Sequence, residues 1–368
     1  MRTCPPDSVH PRTSLWRKRV LSCLIGVALA GSTTAAEPRG GEAAERAVNK
    51  GIGWLRSIQR TEGAISVDQR NETVMTSLAL LAFASAGHQT IDPGPEGEAM
   101  RKALAFVLRD DRQQADGYFG DADGSRMYGH GITTLMLAEL LGMGMDREQD
   151  TLIRRRCALA IDLILRSQQA KQGAHKGGWR YSPDSRDADL SVTVWQLAAL
   201  RSARNAGLEV SKKAIDDGIE YVRRSYRPER PGDGGGGMAI GGFSYQADGN
   251  ETPFSTTAQG LLALQVCGQY EGPEVEGAAN RLLTNTRDQT EKWFYYATYY
   301  YSKGMYQRGG RHADAAERRV AEVLLPRQRP DGSWPVEGEE QKAGPVYSTS
   351  LAILSLAVRH HYLPIYER

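Results

Sequence analysis

The chain has 368 residues, 40% of them hydrophobic, and a formal net charge of +2. That length allows one large domain or two small ones with a sizeable core. There is no basic stripe and no interleaving of aromatics with arginines, which excludes nucleic-acid binding.

The N-terminus reads as an export signal. Arg17-Lys18-Arg19 precedes an apolar run over residues 20–30, and small residues follow up to Thr34-Ala35-Ala36. This is a positive region, an apolar region and a cleavage site before Glu37, so residues 1–36 form a signal peptide and residues 37–368 a single domain. The apolar run is shorter than the ~20 residues that span a bilayer. The expected location is periplasmic or extracellular; an uncleaved anchor is the alternative, which leaves room for peripheral membrane contact. Cleavage removes five Lys/Arg and one Asp, so the net charge moves from +2 to −2. Cys157 and Cys267 remain. Each sits in an apolar helical stretch and reads as a buried free thiol, with a disulfide between them left open. No Cys/His spacing points to zinc, and neither a metal nor another cofactor is expected.

From residue 43 onward the pattern is helical and paired. An amphipathic stretch over 43–58 precedes an apolar one over 74–85. The pairing repeats as 100–108 with 132–143, 151–168 with 191–206, 211–226 with 256–269, 273–284 with 293–305, and 313–325 with 347–358. The first member of each pair carries a charged face, as an outer helix does, and the second is apolar nearly all round, as a helix buried on every side is. Strand signals are nearly absent.

A short cassette follows the outer helices. Gln, three residues, Gly, one residue and a large apolar residue occur as Gln59, Gly63, Ile65; as Gln113, Gly117, Phe119; and as Gln328, Gly332, Trp334. Looser copies carry a doubled glycine, Gly177-Gly178-Trp179-Arg180-Tyr181 and Gly241-Gly242-Phe243-Ser244-Tyr245. Such self-similarity marks a repeat architecture. Six hairpins with buried second helices predict an all-α (α/α)6 toroid with inner and outer rings. An open solenoid would favour two similar helices and a shorter period, ~34–47 residues. In the toroid the glycine turns the chain inward, the aromatic fills the gap between hairpins, and the glutamine bonds to a neighbouring helix.

These cassettes resemble the QW repeats of squalene–hopene and oxidosqualene cyclases. The helix pairing resembles the toroid of terpenoid cyclases, protein prenyltransferase β subunits and complement-type thioester domains, over roughly residues 43–366. The resemblance implies an acidic motif, Asp-x-Asp-Asp-Thr, whose central Asp protonates an alkene. Asp187-Ala188-Asp189-Leu190-Ser191 matches it with Leu190 in place of the third Asp. The prenyltransferase zinc set and the thioester Gly-Cys-Gly-Glu-Gln stretch are absent from the sequence.

The candidate catalytic residues are therefore Asp187 and Asp189, with capping of the following helix as the structural alternative for Asp189. The inner-helix N-termini would gather at one mouth and favour acidic groups there. Tyr128, His130, Ser255, Tyr295 and Tyr347 are expected near it, and Glu139, Trp195 and Tyr299 deeper. The run Trp293-Phe-Tyr-Tyr-Ala-Thr-Tyr-Tyr-Tyr301 predicts a π-rich wall. His130 reads also as a capping or core histidine, and Glu139 as a buried carboxylate in need of a partner. Three functions follow: a cyclase-like protein taking an isoprenoid or other apolar ligand, a non-catalytic toroid binding a lipid, peptide or protein, and a secreted six-hairpin carbohydrate-active enzyme.

Overall fold

The computed structural model describes residues 40–229, 239–285, 292–336, 338–360 and 362–366. The signal-peptide reading of residues 1–36 falls outside them.

Among the described residues, twelve α-helices alternate between two rings. The outer ring holds α1 (Gly40–Ser57), α3 (Pro95–Val107), α5 (Arg147–Gln169), α7 (Lys212–Arg224), α9 (Pro273–Thr284) and α11 (Gly310–Leu324). The inner ring holds α2 (Glu72–Ser85), α4 (Arg126–Glu139), α6 (Leu190–Asn205), α8 (Phe254–Val266), α10 (Phe294–Arg308) and α12 (Pro345–Leu356). Successive inner helices pack on one another, and α12 returns to α2, so the ring closes. This is the (α/α)6 toroid that the alternation of amphipathic and apolar segments predicts. Among the described residues, the only strands are β1 (Tyr226–Pro228) and β2 (Gly241–Phe243), an antiparallel pair in the fourth hairpin.

The largest boundary difference is at α4, which begins six residues before the predicted start at 132. Gly129 and Gly131 precede the predicted start, and both lie inside the helix. A Cβ on Gly131 would come 2.4 Å from the Gln196 amide nitrogen on α6. Glycine here lets two inner helices approach closely, and that contact outweighs its poor helix propensity.

The cassettes are the joints. The backbone N–H of each cassette's large residue donates to the inner helix: Ile65 to Thr76 Oγ1 at 3.0 Å, Trp179 to Thr193 Oγ1 at 2.9 Å, Phe243 to Thr257 Oγ1 at 3.2 Å, and Trp334 to Thr349 Oγ1 at 3.0 Å. Each glutamine bonds both the glycine carbonyl of its own cassette and the next outer helix. Gln59 reaches Ala99 O at 2.9 Å, Gln113 reaches Arg156 O at 2.9 Å, and Gln328 reaches Ala47 O at 2.8 Å. The last of these joins residues 281 apart and closes α11 onto α1. Gln168 bonds Gly177 O and Ala214 O in the same way, from nine residues before its glycine instead of four. The glycines are forced by geometry. Gly63, Gly117, Gly177 and Gly332 all have positive φ, and a Cβ on each would lie 2.0–2.3 Å from a carbonyl oxygen of the next outer helix.

Candidate functional site at the mouth of the barrel

The loops before the inner helices form one mouth, and acidic side chains cap helices there. Asp123 Oδ2 accepts the Val74 N–H of α2 at 3.0 Å. Asp189 Oδ1 accepts the Val192 N–H of α6 at 2.8 Å. Glu340, on the loop before α12, accepts the Tyr295 and Tyr296 N–H groups of α10, each at 3.0 Å. Tyr347 donates to the same carboxylate at 3.3 Å. Each cap satisfies N-terminal amides that an inner helix cannot satisfy itself.

Asp189 is buried, while Asp187 is half-exposed. The two do not share a proton. Arg180 stands between them, with Nε 3.4 Å from Asp187 Oδ2 and Nη1 3.5 Å from Asp189 Oδ2. Burial raises the Asp189 carboxyl to about 7, against the lowering by the Val192 amide and by Arg180. The guanidinium also lies over two rings, 4.8 Å from the Tyr181 centroid and 5.6 Å from that of Tyr245. The hydroxyls of Tyr181 and Tyr245 bond each other. Tyr128 stands 5.8 Å from Tyr181, ring to ring, and its hydroxyl meets Ser191 Oγ at 2.5 Å. Ser191 continues to the Tyr296 hydroxyl at 3.1 Å, which accepts Trp195 Nε1–H at 3.1 Å. Burial holds the Tyr128 and Tyr296 phenols above their ordinary value, so this chain of hydroxyls stays protonated at neutral pH.

Below the mouth the barrel is filled. Trp195 stacks on Tyr299 with centroids 5.6 Å apart, and Tyr300 packs edge-on against both. A void of about 10 Å³ lies among Val194, Trp195, Leu262, Tyr299, Tyr300 and Tyr366. Tyr295 is buried beside Phe294 at the α10 cap. Glu139 lies at the opposite end of the barrel, where Ser202 donates to it.

His130 does not belong to the cavity lining expected of it. It is buried towards the outer ring, where Nδ1 accepts the Phe119 N–H at 3.3 Å and Nε2 faces the Ala160 carbonyl at 3.1 Å. Phe119 is a cassette aromatic, so His130 occupies the place that threonine holds in the other joints. Burial lowers its pKa to about 4, which keeps the imidazole neutral with its proton on Nε2.

Arg180, Tyr181, Tyr245 and Glu340 lie outside the residues that the sequence singles out for the site, whereas Tyr296 belongs to its aromatic run. A signal existed for two of them: Tyr181 and Tyr245 each follow a cassette aromatic by two positions. Glu340 had none, because its loop carries no pattern.

No family model matches the chain, and no curated protein matches it. Solved structures do. An inactive Asp→Asn double variant of the α-1,6-mannanase GH76A of Salegentibacter sp. HEL1_6, in complex with α-1,6-mannotriose, matches with a TM-score of 0.57 at 10% identity, covering 87% of this chain and 98% of that one. The type II terpene cyclase MstE from Scytonema, in its apo form, matches with a TM-score of 0.52 at 15% identity, covering 89% and 100%. At these identities the likeness is one of fold: the chain is an α/α toroid, of the architecture found in both a terpene cyclase and a mannanase.

Proposed function

We propose that this protein is an exported binding toroid whose ligand, a polypeptide segment, docks at the mouth, while the barrel serves as a filled scaffold. The observation that carries this reading is the filling itself. Small-molecule sites occupy about 300–1,000 Å³, whereas the void here is about 10 Å³. An isoprenoid does not fit among these axial aromatic side chains. The Asp189 carboxylate, which an alkene-protonating enzyme would aim at substrate, is engaged by Val192 on one oxygen and faces Arg180 with the other. The mouth, in contrast, presents the partly exposed side chains of Tyr128, Arg180, Tyr181 and Tyr245. Tyrosine and arginine dominate protein-recognition hot spots, because each offers apolar area and directed polar atoms. The export reading of residues 1–36 supports a partner outside the cytoplasm.

Two experiments test this. The mature chain and Asp189→Asn are incubated with squalene and with C15 and C20 polyprenes, and products are followed by mass spectrometry. Neither protein is expected to convert them; a cyclised product made by the wild type and lost in Asp189→Asn overturns the reading. A displayed peptide library is panned on the immobilised chain, and enriched peptides are expected to lose ~10-fold or more in affinity for folded Tyr181→Ala. Enriched peptides indifferent to Tyr181→Ala, Arg180→Ala and Tyr245→Ala count against the mouth.

A further inference from the structure

The floor of the barrel, opposite the mouth, holds polar groups that helix capping does not explain. Glu139 on α4, Ser202 on α6 and Lys303 on α10 are all buried. Burying such groups is unfavourable unless each finds a matched partner, and a plain core would be served as well by apolar side chains of similar volume. Several of the partners come from one short segment. After α12 the chain turns back, and a single 3₁₀ turn, Pro364–Tyr366, enters the floor against α6. The Ile365 N–H donates to Glu139 Oε2 at 3.2 Å. The Tyr366 carbonyl accepts from Gln307 Nε2 at 3.3 Å. The Tyr366 hydroxyl bonds that of Tyr299, and Lys303 Nζ lies 4.4 Å above the Tyr366 ring. Tyr366 also walls the void lined by Trp195 and Tyr300. Four features of the Ile-Tyr unit (the Ile365 N–H, the Tyr366 carbonyl, the phenol and the ring face) thus meet groups supplied by the barrel, while the Tyr366 N–H bonds Leu363 O within the turn.

We propose that the barrel floor is a binding site for a p-hydroxyphenyl group presented beside a peptide amide, and that residues 363–366 are its tethered occupant. Trp195, Tyr299 and Tyr300 form the apolar wall, Glu139 reads the amide N–H, and Tyr299 reads the phenol. The inference is independent of what the mouth binds.

Hydrogen exchange on the intact wild-type chain tests it. A tethered occupant leaves by local opening, so the Ile365 amide is expected to exchange ~100-fold or more faster than buried amides in the centres of α6 and α8. N-acetyl-Ile-Tyr-amide at ~10 mM, above the millimolar effective concentration of a short tether, should speed Ile365 exchange further, and N-acetyl-Ile-Phe-amide should not. Exchange of Ile365 at the rate of the inner helices overturns the proposal, as does a dipeptide pair with equal or no effect. In full-length Tyr366→Ala, p-cresol should raise the melting temperature more than toluene at the same concentration. Equal stabilisation makes the site a plain apolar hole. A Tyr366→Ala chain that does not fold makes the segment part of the core; both results overturn the proposal.

Discussion

The joint at Gly332 permits a test of ring closure with an internal control. Gly332 has φ +97°, and a Cβ there would lie 2.3 Å from the Lys50 carbonyl oxygen on α1. Gly207, just past α6, has φ +79° with nothing within 4 Å of an added Cβ. Both substitutions to Ala place a side chain in the left-handed region, at about 1–2 kcal/mol. Gly332→Ala adds a backbone clash, typically about 1–3 kcal/mol, and strains the Gln328 to Ala47 bond, about 1 kcal/mol. The expected losses are therefore about 3–6 kcal/mol for Gly332→Ala and about 1–2 kcal/mol for Gly207→Ala. At about 2.1 cal/mol/K per residue, a domain of about 330 residues loses ~1.4 °C of Tm per kcal/mol. Thermal melts followed by far-UV circular dichroism should fall by about 4–8 °C and about 2 °C respectively, and urea midpoints should keep the same order. Equal losses in the two variants would refute the reasoning, because the shared backbone strain would then account for everything and the contact across the closure for nothing.

The remaining predictions concern buried groups. Asp189→Asn keeps an acceptor for the Val192 N–H and Asp189→Ala does not, so the Ala variant should be less stable by about 1 kcal/mol in urea titrations. The Asp189 carboxyl rises from 3.8 to about 7 on folding, so its contribution to stability is fully present below 3.8 and is lost as pH rises through 7; Asp189→Asn should flatten that decline. His130 falls from 6.5 to about 4, so its contribution is fully present above 6.5 and is lost as pH falls through 4, amounting to about 3 kcal/mol. His130→Gln should remove that slope, and the wild-type imidazole resonances should not titrate above pH 5 by NMR. Cys157 and Cys267 are buried free thiols pushed up to about 12, so peptide mass spectrometry should find them unalkylated by iodoacetamide at pH 8 in the folded chain and labelled in urea.

The sequence carries the rings clearly because burial writes itself into it. A helix enclosed by neighbours, like α8, carries no charged residue, while an outer helix such as α7 keeps Lys212, Lys213, Asp216 and Asp217 on its free face. The joints are equally legible, since a glycine pressed on a carbonyl allows no substitute. The mouth is not. Whether Asp189 meets substrate, another carboxylate or an arginine depends on where Arg180 lies after a loop has folded, and the local sequence is the same in each case. His130 shows the limit well. In the sequence it stands apart from the threonines of the other joints, and only the Phe119 N–H bond shows that it does their work. The filled barrel was hidden for a related reason. An aromatic helix such as α10 lines a cavity or closes one according to what lies opposite, and here Trp195 and Tyr366 lie opposite.

Closure of the ring and filling of the barrel are linked by where the holding contacts sit. In an open solenoid the end repeats expose apolar faces and need special caps. Here the last joint, Gln328 and Gly332 against α1, uses the same atoms as the first, so no repeat is an end. These joints lie between the rings, in contacts of cassette with outer helix and of cassette with the near side of the inner helix. None of them runs through the barrel axis. The side chains that point to the axis are thus free to change from cavity lining to packing without loosening any joint, so one ring can enclose a substrate chamber or a solid core. The cassettes therefore determine that the ring closes, and Tyr299, Tyr300 and Tyr366 fill its axis around a water-sized void.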